Sequence, residues 1–351
     1  MTTENTKGLK KNTKFIFAGL LIILAIAGFY GIKFYRVYFA PNVSENGTFL
    51  YVHTGANIDQ VFQEIRDKDL LKDVGTFSQA AAQMDLAERL KPGRYKLTKG
   101  MNNRTLINTI KSGNQTPVAL KFQNIRKKDD FAGYLSRTFE ADSLEFIKIL
   151  DSAALIEKYG FTPDNSYTMF IPNTYEMYWN TTPLEFFDRM QKEYTKFWTP
   201  ERKQKASALN LTPQQVTILA SIVDGEAIFD KEMPTIAGLY LNRLNKGILL
   251  QADPTVIFAN NDFTVKRVTN ALLRVDSKYN TYKYAGLPPG PIMMPSIKAI
   301  DAVLSPEKNN YIYMCAKEDF SGYHAFAETK EQHEINANKY RQALNKRNIF
   351  R

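Results

Sequence analysis

A single cysteine, Cys315, excludes an intramolecular disulfide framework, and three scattered histidines (His53, His324 and His333) leave no Cys/His cluster at metal-ligand spacing. No metal or other cofactor is therefore expected. Cys315 lies inside the hydrophobic, strand-like run YIYMCAK, which predicts a buried and inert thiol. Internal repeats and low-complexity tracts are missing too. So are zinc-finger spacing, an RNP-like aromatic pattern and dense Lys/Arg runs, which removes nucleic acid from the expected partners. Yet 46 Lys and Arg outnumber 36 Asp and Glu, for a net charge of +10. That excess suits an acidic polymer, acidic lipid headgroups or simply a basic surface. With 44% hydrophobic and 13% aromatic residues, the chain of 351 residues is long enough for two folded domains.

Charge disappears altogether between Phe15 and Ile32, in FIFAGLLIILAIAGFYGI. Eighteen such residues in a helix reach about 27 Å, close to the hydrocarbon thickness of a bilayer. Lys7, Lys10, Lys11 and Lys14 precede the run, against Lys33 and Arg36 just after it, and this asymmetry predicts a cytoplasmic N-terminus. The run is long for a signal peptide, and YRVYFAPN follows it without a small-residue cleavage site. A single transmembrane anchor is expected, with the rest of the chain outside the cytoplasm.

Beyond a connector with Pro41 and Gly47 near its end, TFLYVHT reads as a strand. Apolar residues at 58, 61, 62 and 65 predict an amphipathic helix with Asn57 as its N-cap. A helix over TFSQAAAQMDLAERL, a turn and strand at KPGRYKL, and a helix ending at Gly113 complete a small α+β module. PVALKF (117–122) opens a larger α+β domain. Its expected helices lie near 129–139, 143–150, 183–197 and 330–346, with a strand at YIYMCA and loops at QADPT, KYNTYKYAGLPPGPI and SGYHAF.

Within this domain, Thr212 and Pro213 start a helix that runs into TILASIVDGEA (217–227). Leu219, Ile222, Val223 and Glu226 fall at i, i+3, i+4 and i+7, so Glu226 continues the apolar stripe. Asp224 follows Thr217, Ala220 and Ser221 on a more polar face, about 160° away. The two acids therefore cannot flank one bond as a pair. A carboxyl on an apolar face loses hydration when charged, which predicts a pKa raised from about 4.3 toward 6–7, where one group can donate and retrieve a proton. The alternative for Glu226 is an ion pair with Arg243 or Lys231. Gly225 in mid-helix costs roughly 1 kcal/mol relative to Ala, which predicts that something approaches the backbone there.

LASIVDGEA, AGLYLNRLNKGILLQADPTVIFA and YNTYKYAGLPPGPI, with FIPNTYEMY upstream and GYHAF downstream, together resemble the endolytic murein transglycosylase (YceG-like) family. The resemblance runs from about residue 47 to 346. It implies a cytoplasmic tail (1–14), an anchor (15–35), a linker (36–46), a LysM-like module (47–116) and a YceG-like catalytic domain (117–351). It also implies a bacterial inner-membrane location. In the family the second acid of an acid-x-acid segment is catalytic, which carries over to Glu226. This chain departs from the pattern at Asp224, where Glu is usual, and at Ala227, where Thr is common.

The implied reaction cleaves nascent peptidoglycan strands between N-acetylmuramic acid and N-acetylglucosamine without water, leaving 1,6-anhydro ends. Peptidoglycan synthases and division or elongation proteins are the implied further partners. Gln251, Asp253, Thr255, Asn280 and Tyr282 are candidates for lining the cleft, and Tyr175 for stacking on a sugar face. Asp224, Arg243 and His324 are candidates for supporting roles. Two other readings remain: a non-catalytic glycan-binding scaffold, for which Asp224 leaves room, and a hydrolase with a second carboxylate at Asp253 or Asp230.

Overall fold

The computed structural model describes residues 5–45, 48–265 and 268–347, which form two compact units: 1–118 with 176–180, and 119–175 with 181–351. Residues 1–4 of the expected tail, Gly47 of the connector and the last four residues lie outside the described set.

The first unit begins with helix α1 (Asn5–Tyr38), whose Phe15–Tyr38 stretch is long and apolar enough to cross a membrane. Its large side chains, Phe15, Leu21 and Phe29 among them, are exposed, as they must be if something apolar other than this chain surrounds them. The expected linker packs into this unit. Val37 and Val43 are buried in the unit's core, and Pro41 and Val43 form bridges to Asn102 and Leu71. Two buried asparagines bind it further. Asn42 Nδ2 donates to Asn103 Oδ1 (2.7 Å), and Asn103 Nδ2 to the Val37 carbonyl (2.8 Å). Unpaired amides at these positions would be costly, so their pairing fixes the path of the chain after the helix.

Strand β1 (Phe49–Val52) pairs antiparallel with β2 (Gly93–Lys96), placing Leu50 opposite Tyr95, both fully buried. Between the strands lie α2 (Ile58–Asp67), with the expected Asn57 cap closing a reciprocal box with Gln60, and α3 (Val74–Gln83). The expected helix over 76–90 stops early: Asp85 takes a left-handed φ of 51°, and a short 3-10 turn at Ala87–Arg89 follows. Helix α4 (Asn103–Ser112) ends on Gly113 at φ 70°, as the sequence predicts. Trp179 also belongs to this unit and meets the rings of Tyr51 and His53 edge-on, at 4.9 and 5.0 Å.

Strands β3 (Val118–Lys121) and β4 (Thr174–Met177) pair as a two-stranded sheet. The second unit is mostly helical: α5 (Lys128–Ser136), α6 (Ser143–Leu150), α7 (Ala153–Lys158), α8 (Pro183–Phe197), α9 (Pro200–Ala208) and α10 (Pro213–Glu226). Then follow α11 (Met233–Asn245), α12 (Asp253–Ala259), α13 (Ile297–Leu304), the hairpin β5 (Tyr313–Ala316)–β6 (His324–Ala327) and α14 (Lys330–Lys346). Two expected loops are regular structure: the DPT of QADPT starts α12, and HAF belongs to β6.

Helix α10 sits at the centre of this unit, packed with α11 and α13 through Leu219, Ile222, Val223, Ile236, Tyr240, Ile300 and Val303. Every residue from Val216 to Val223 is buried. The expected polar face is thus buried as well, with its hydroxyls satisfied. Thr217 Oγ1 donates to the Pro213 carbonyl (3.0 Å), and Ser221 Oγ to that of Ile218 (2.7 Å).

Candidate active site

Glu226 is the last residue of α10 and opens into a cleft of about 470 Å3. The cleft is lined by Tyr240 and Arg243 of α11, Gln251, Asp253 at the start of α12, Tyr282, residues 313–316 of β5, His324 of β6 and His333 of α14. Six separate stretches of chain therefore meet around one carboxyl.

Tyr240 donates its hydroxyl to Glu226 Oε1 at 3.0 Å. Burial pushes the Glu226 pKa up from 4.5 to about 7, and the neighbouring Asp253 carboxylate adds to the rise. The Tyr240 hydroxyl and the Asp253 backbone N–H, which both bond to Glu226, oppose it. The helix C-terminus, with its partial negative charge, acts in the same direction as burial. A carboxyl with two hydrogen-bond donors and a pKa near neutrality can exist in either protonation state at small cost. That is the requirement for a group that gives a proton and takes one back.

The ion-pair alternative does not hold. Arg243 is buried, but its donors go to the Leu249 carbonyl (2.8 Å), the Ile312 carbonyl and Gln251 Oε1 (2.5 Å). Lys231 is exposed, and among the described residues no base forms an ion pair with Glu226. Gln251 holds a left-handed φ of 54°, stabilised by its N–H bond to the Thr281 carbonyl (3.1 Å). Such a conformation is costly for a residue with a Cβ and persists only where its surroundings impose it.

Asp253, the second carboxylate in the cleft, accepts the Tyr282 hydroxyl at 2.6 Å. Thr255 and Asn280 lie beneath the cleft rather than on its wall. Both are fully buried. Thr255 Oγ1 meets Thr281 Oγ1 at 2.8 Å, and Asn280 Nδ2 donates to the Leu273 and Val275 carbonyls. They hold the loops that carry Gln251, Asp253 and Tyr282. Tyr175 is elsewhere: it is 4% exposed, stacks on Phe122 in an aromatic cluster and gives its hydroxyl to the Ile171 carbonyl. It presents no platform to a sugar. Asp230, which pairs with exposed Lys298, does not line the cleft either.

Asp224 accepts from the backbone N–H of Ser296 (2.8 Å) and from its hydroxyl (3.0 Å), at the N-cap of α13. Its function is to join the end of α10 to the start of α13. Asp224→Asn should lower stability by about 1–2 kcal/mol, the loss of a charged acceptor, while leaving the cleft chemistry within a few-fold of wild type. Parallel melting curves and activity assays check both parts.

Gly225 does face a close neighbour, but it is the protein itself. A Cβ there would lie 3.0 Å from Pro254 Cβ and 3.5 Å from Met293 Cε. The glycine lets α12 approach α10, which brings Asp253 beside Glu226.

Several cleft residues carry no clear mark in the sequence. Tyr240 sits in the aliphatic pattern of AGLYLNRL, where its hydroxyl is the sole hint. Cys315 is half-buried on the cleft wall rather than sealed in a core, and burial raises its pKa, keeping the thiol protonated. His333 stacks on Tyr313 at 5.2 Å. Glu232, 6% exposed, accepts from the His324 backbone N–H (2.7 Å) and meets its Nδ1 (2.8 Å).

Residues 50–339 match the model of the YceG-like family. The chain is 26% identical over 321 residues to the endolytic murein transglycosylase of Bacillus subtilis (strain 168), covering 84% of this chain and 85% of that protein. It is 24% identical over 360 residues to the protein of the same name from Streptococcus pneumoniae serotype 2 (strain D39 / NCTC 7466), covering 91% of this chain and 63% of that one. It therefore spans less than two thirds of the streptococcal relative's length. A YceG-like protein of Listeria monocytogenes, solved by crystallography at 2.6 Å, superposes with a TM-score of 0.55 over 83% of this chain and 99% of that one, at 24% identity.

Proposed function

The chain belongs to the YceG-like family, and from that premise we propose that it is a lytic murein transglycosylase whose single acid/base is Glu226. The observation that carries this reading is a half-buried carboxyl with a pKa of about 7, bonded to Tyr240 and open to a cleft. Two relatives named endolytic murein transglycosylase support the substrate class.

In this reading a peptidoglycan strand occupies the cleft with the bond between N-acetylmuramic acid and N-acetylglucosamine beside Glu226. The protonated carboxyl gives its proton to the leaving glycosidic oxygen as the C–O bond breaks. The resulting carboxylate, stabilised by Tyr240 and the Asp253 N–H, takes the proton of the muramic 6-hydroxyl. That oxygen closes on the anomeric carbon to form the 1,6-anhydro ring. The proton lost in the first step is regained in the second, so one group suffices and no water is consumed. The Asp253 carboxylate lies where it can stabilise the oxocarbenium-like charge electrostatically.

The apolar α1 then serves as a single-pass anchor in the bacterial inner membrane, N-terminus in the cytoplasm, with both units outside. The β1–α2–α3–β2 order of the first unit fits a LysM-like module, and the anchor would place it near nascent strands and the synthases and division or elongation proteins that work there. A catalytically dead scaffold loses its one argument, because Asp224 has a structural partner in Ser296.

Asp253 in the same cleft favours one competing reading, a two-carboxylate hydrolase. Product masses decide between them. Purified glycan strands treated with the enzyme should yield ends lighter by one water than hydrolytic reducing ends. Reducing ends alone would replace the transglycosylase with a hydrolase.

A further inference from the structure

Buried Glu232 and half-buried His324 form a pair that the acid/base step does not use. Glu232 stands just before α11 and is 6% exposed. Its Oε1 accepts from the backbone N–H of His324 at 2.7 Å, and its Oε2 lies 2.8 Å from the imidazole Nδ1. Among the described residues it makes no ion pair with Lys or Arg. With Glu232 accepting through both oxygens, Nδ1 is the ring nitrogen that donates. Two contacts to one residue, one from the main chain and one from the ring, fix both the position of β6 and the rotation of the imidazole. With Nδ1 engaged, Nε2 is the ring nitrogen that Glu232 does not use, and His324 lines the cleft together with Glu226, Tyr240 and Arg243.

We propose that Glu232 is a positioning residue that pins His324 through Nδ1–H, so that the Nε2 edge binds a polar group of the glycan strand in the cleft. The proposal rests on the transglycosylase reading for the identity of the ligand, and on the pair's geometry for everything else. It resembles the way a carboxylate sets the tautomer of a histidine in other sites, with the difference that here the histidine holds substrate rather than moving a proton.

Glu232→Gln is the direct test. Its amide offers one acceptor and one donor in place of two acceptors, so it cannot satisfy the His324 backbone N–H and Nδ1–H together. His324→Asn is the complement: the Asn amide can still donate to Glu232, but the Nε2 edge is gone. Strand binding is measured with the full-length protein in detergent micelles carrying Glu226→Gln, so that nothing is cut during the titration. Each second substitution should weaken binding of purified glycan strands about tenfold, the worth of one hydrogen bond, and the two together should be no worse than one. In active enzyme the loss should fall on KM, with kcat nearly unchanged.

The chain has three histidines, which makes selective 15N labelling practicable. The His324 Nδ1–H resonance should be present in the parent protein and lost or shifted in Glu232→Gln, and it is read without any glycan. Unchanged strand binding in both variants, additive losses, or a His324 Nδ1 without a proton would each overturn the proposal. If wild-type enzyme leaves strands uncut, the transglycosylase reading fails, and the resonance still decides whether Glu232 sets the ring.

Discussion

Glu226→Gln should reduce strand cleavage by at least about a thousandfold while leaving strand binding close to wild type. The amide keeps the shape and the Tyr240 hydrogen bond of the carboxyl but can neither give a proton to a leaving oxygen nor take one from a hydroxyl. Release of anhydro ends and equilibrium binding, measured on the same preparation, separate the two effects. A variant that cuts at the normal rate would move the acid to another residue, and Asp253 would be the first to try.

Wild-type activity should fall as pH rises above about 7, because the first step of the proposed reaction needs Glu226 protonated and its pKa is raised to about 7. Stability provides an independent check with a defined sign. The unfolded chain releases this proton near 4.5, whereas the folded chain keeps it up to about 7. Folding takes up a proton in that window, so the stability this group contributes is full below 4.5 and lost as pH rises through 7. Gln carries no such dependence. The melting temperature of Glu226→Gln relative to wild type should therefore climb between pH 4.5 and 7.

Gly290→Ala should damage the fold more than any substitution in the cleft. Alanine's Cβ would lie 1.9 Å from the Asp164 carbonyl oxygen, 2.7 Å from its carbon and 2.8 Å from Tyr279 Oη. The nearest atoms are main chain and cannot swing aside as a side chain would. Two residues on, the Ile292 N–H donates to Ser221 Oγ on α10 (3.0 Å), so the displacement would reach the helix that carries Glu226. A loss of about 3 kcal/mol is expected, a drop of about 6–12 °C in melting temperature for a unit of this size. Gly286→Ala is the control. Gly286 has a positive φ of 86° and nothing within 4 Å of a built Cβ, so it should cost only about 1 kcal/mol of backbone strain. Equal melting curves for the two variants would mean that the Asp164 contact is not tight.

Local structure was legible wherever the signal is local. The Asn57 cap, the Gly113 stop and the Thr212–Pro213 start follow from side chains within four residues of the feature they control. The phase of α10 likewise separates Glu226 from Asp224 without any knowledge of their neighbours. QADPT was misread as a loop because Asp and Pro favour turns and first helical turns alike, and its neighbours decide which. The sequence marks 36–46 only as a connector, because nothing in it shows that Asn42 is buried until Asn103 of α4 is in place.

The rest of the site depends on contacts between distant segments. Tyr240, Asp253, Tyr282, His324 and Glu232 lie between 6 and 98 positions from Glu226 in the chain, and no periodicity links them. Gly225 shows the difference most clearly. The sequence alone predicted a close neighbour for Gly225 from its cost within a helix, although α10 ends one residue later, at Glu226. Tertiary structure decided that the neighbour is Pro254, which brings a second carboxylate beside the first. Helical phase is a property of the backbone and can be read from residue order. The pKa of Glu226 is a property of what surrounds it, and burial with the Asp253 charge arises only when α10, α11 and α12 pack together.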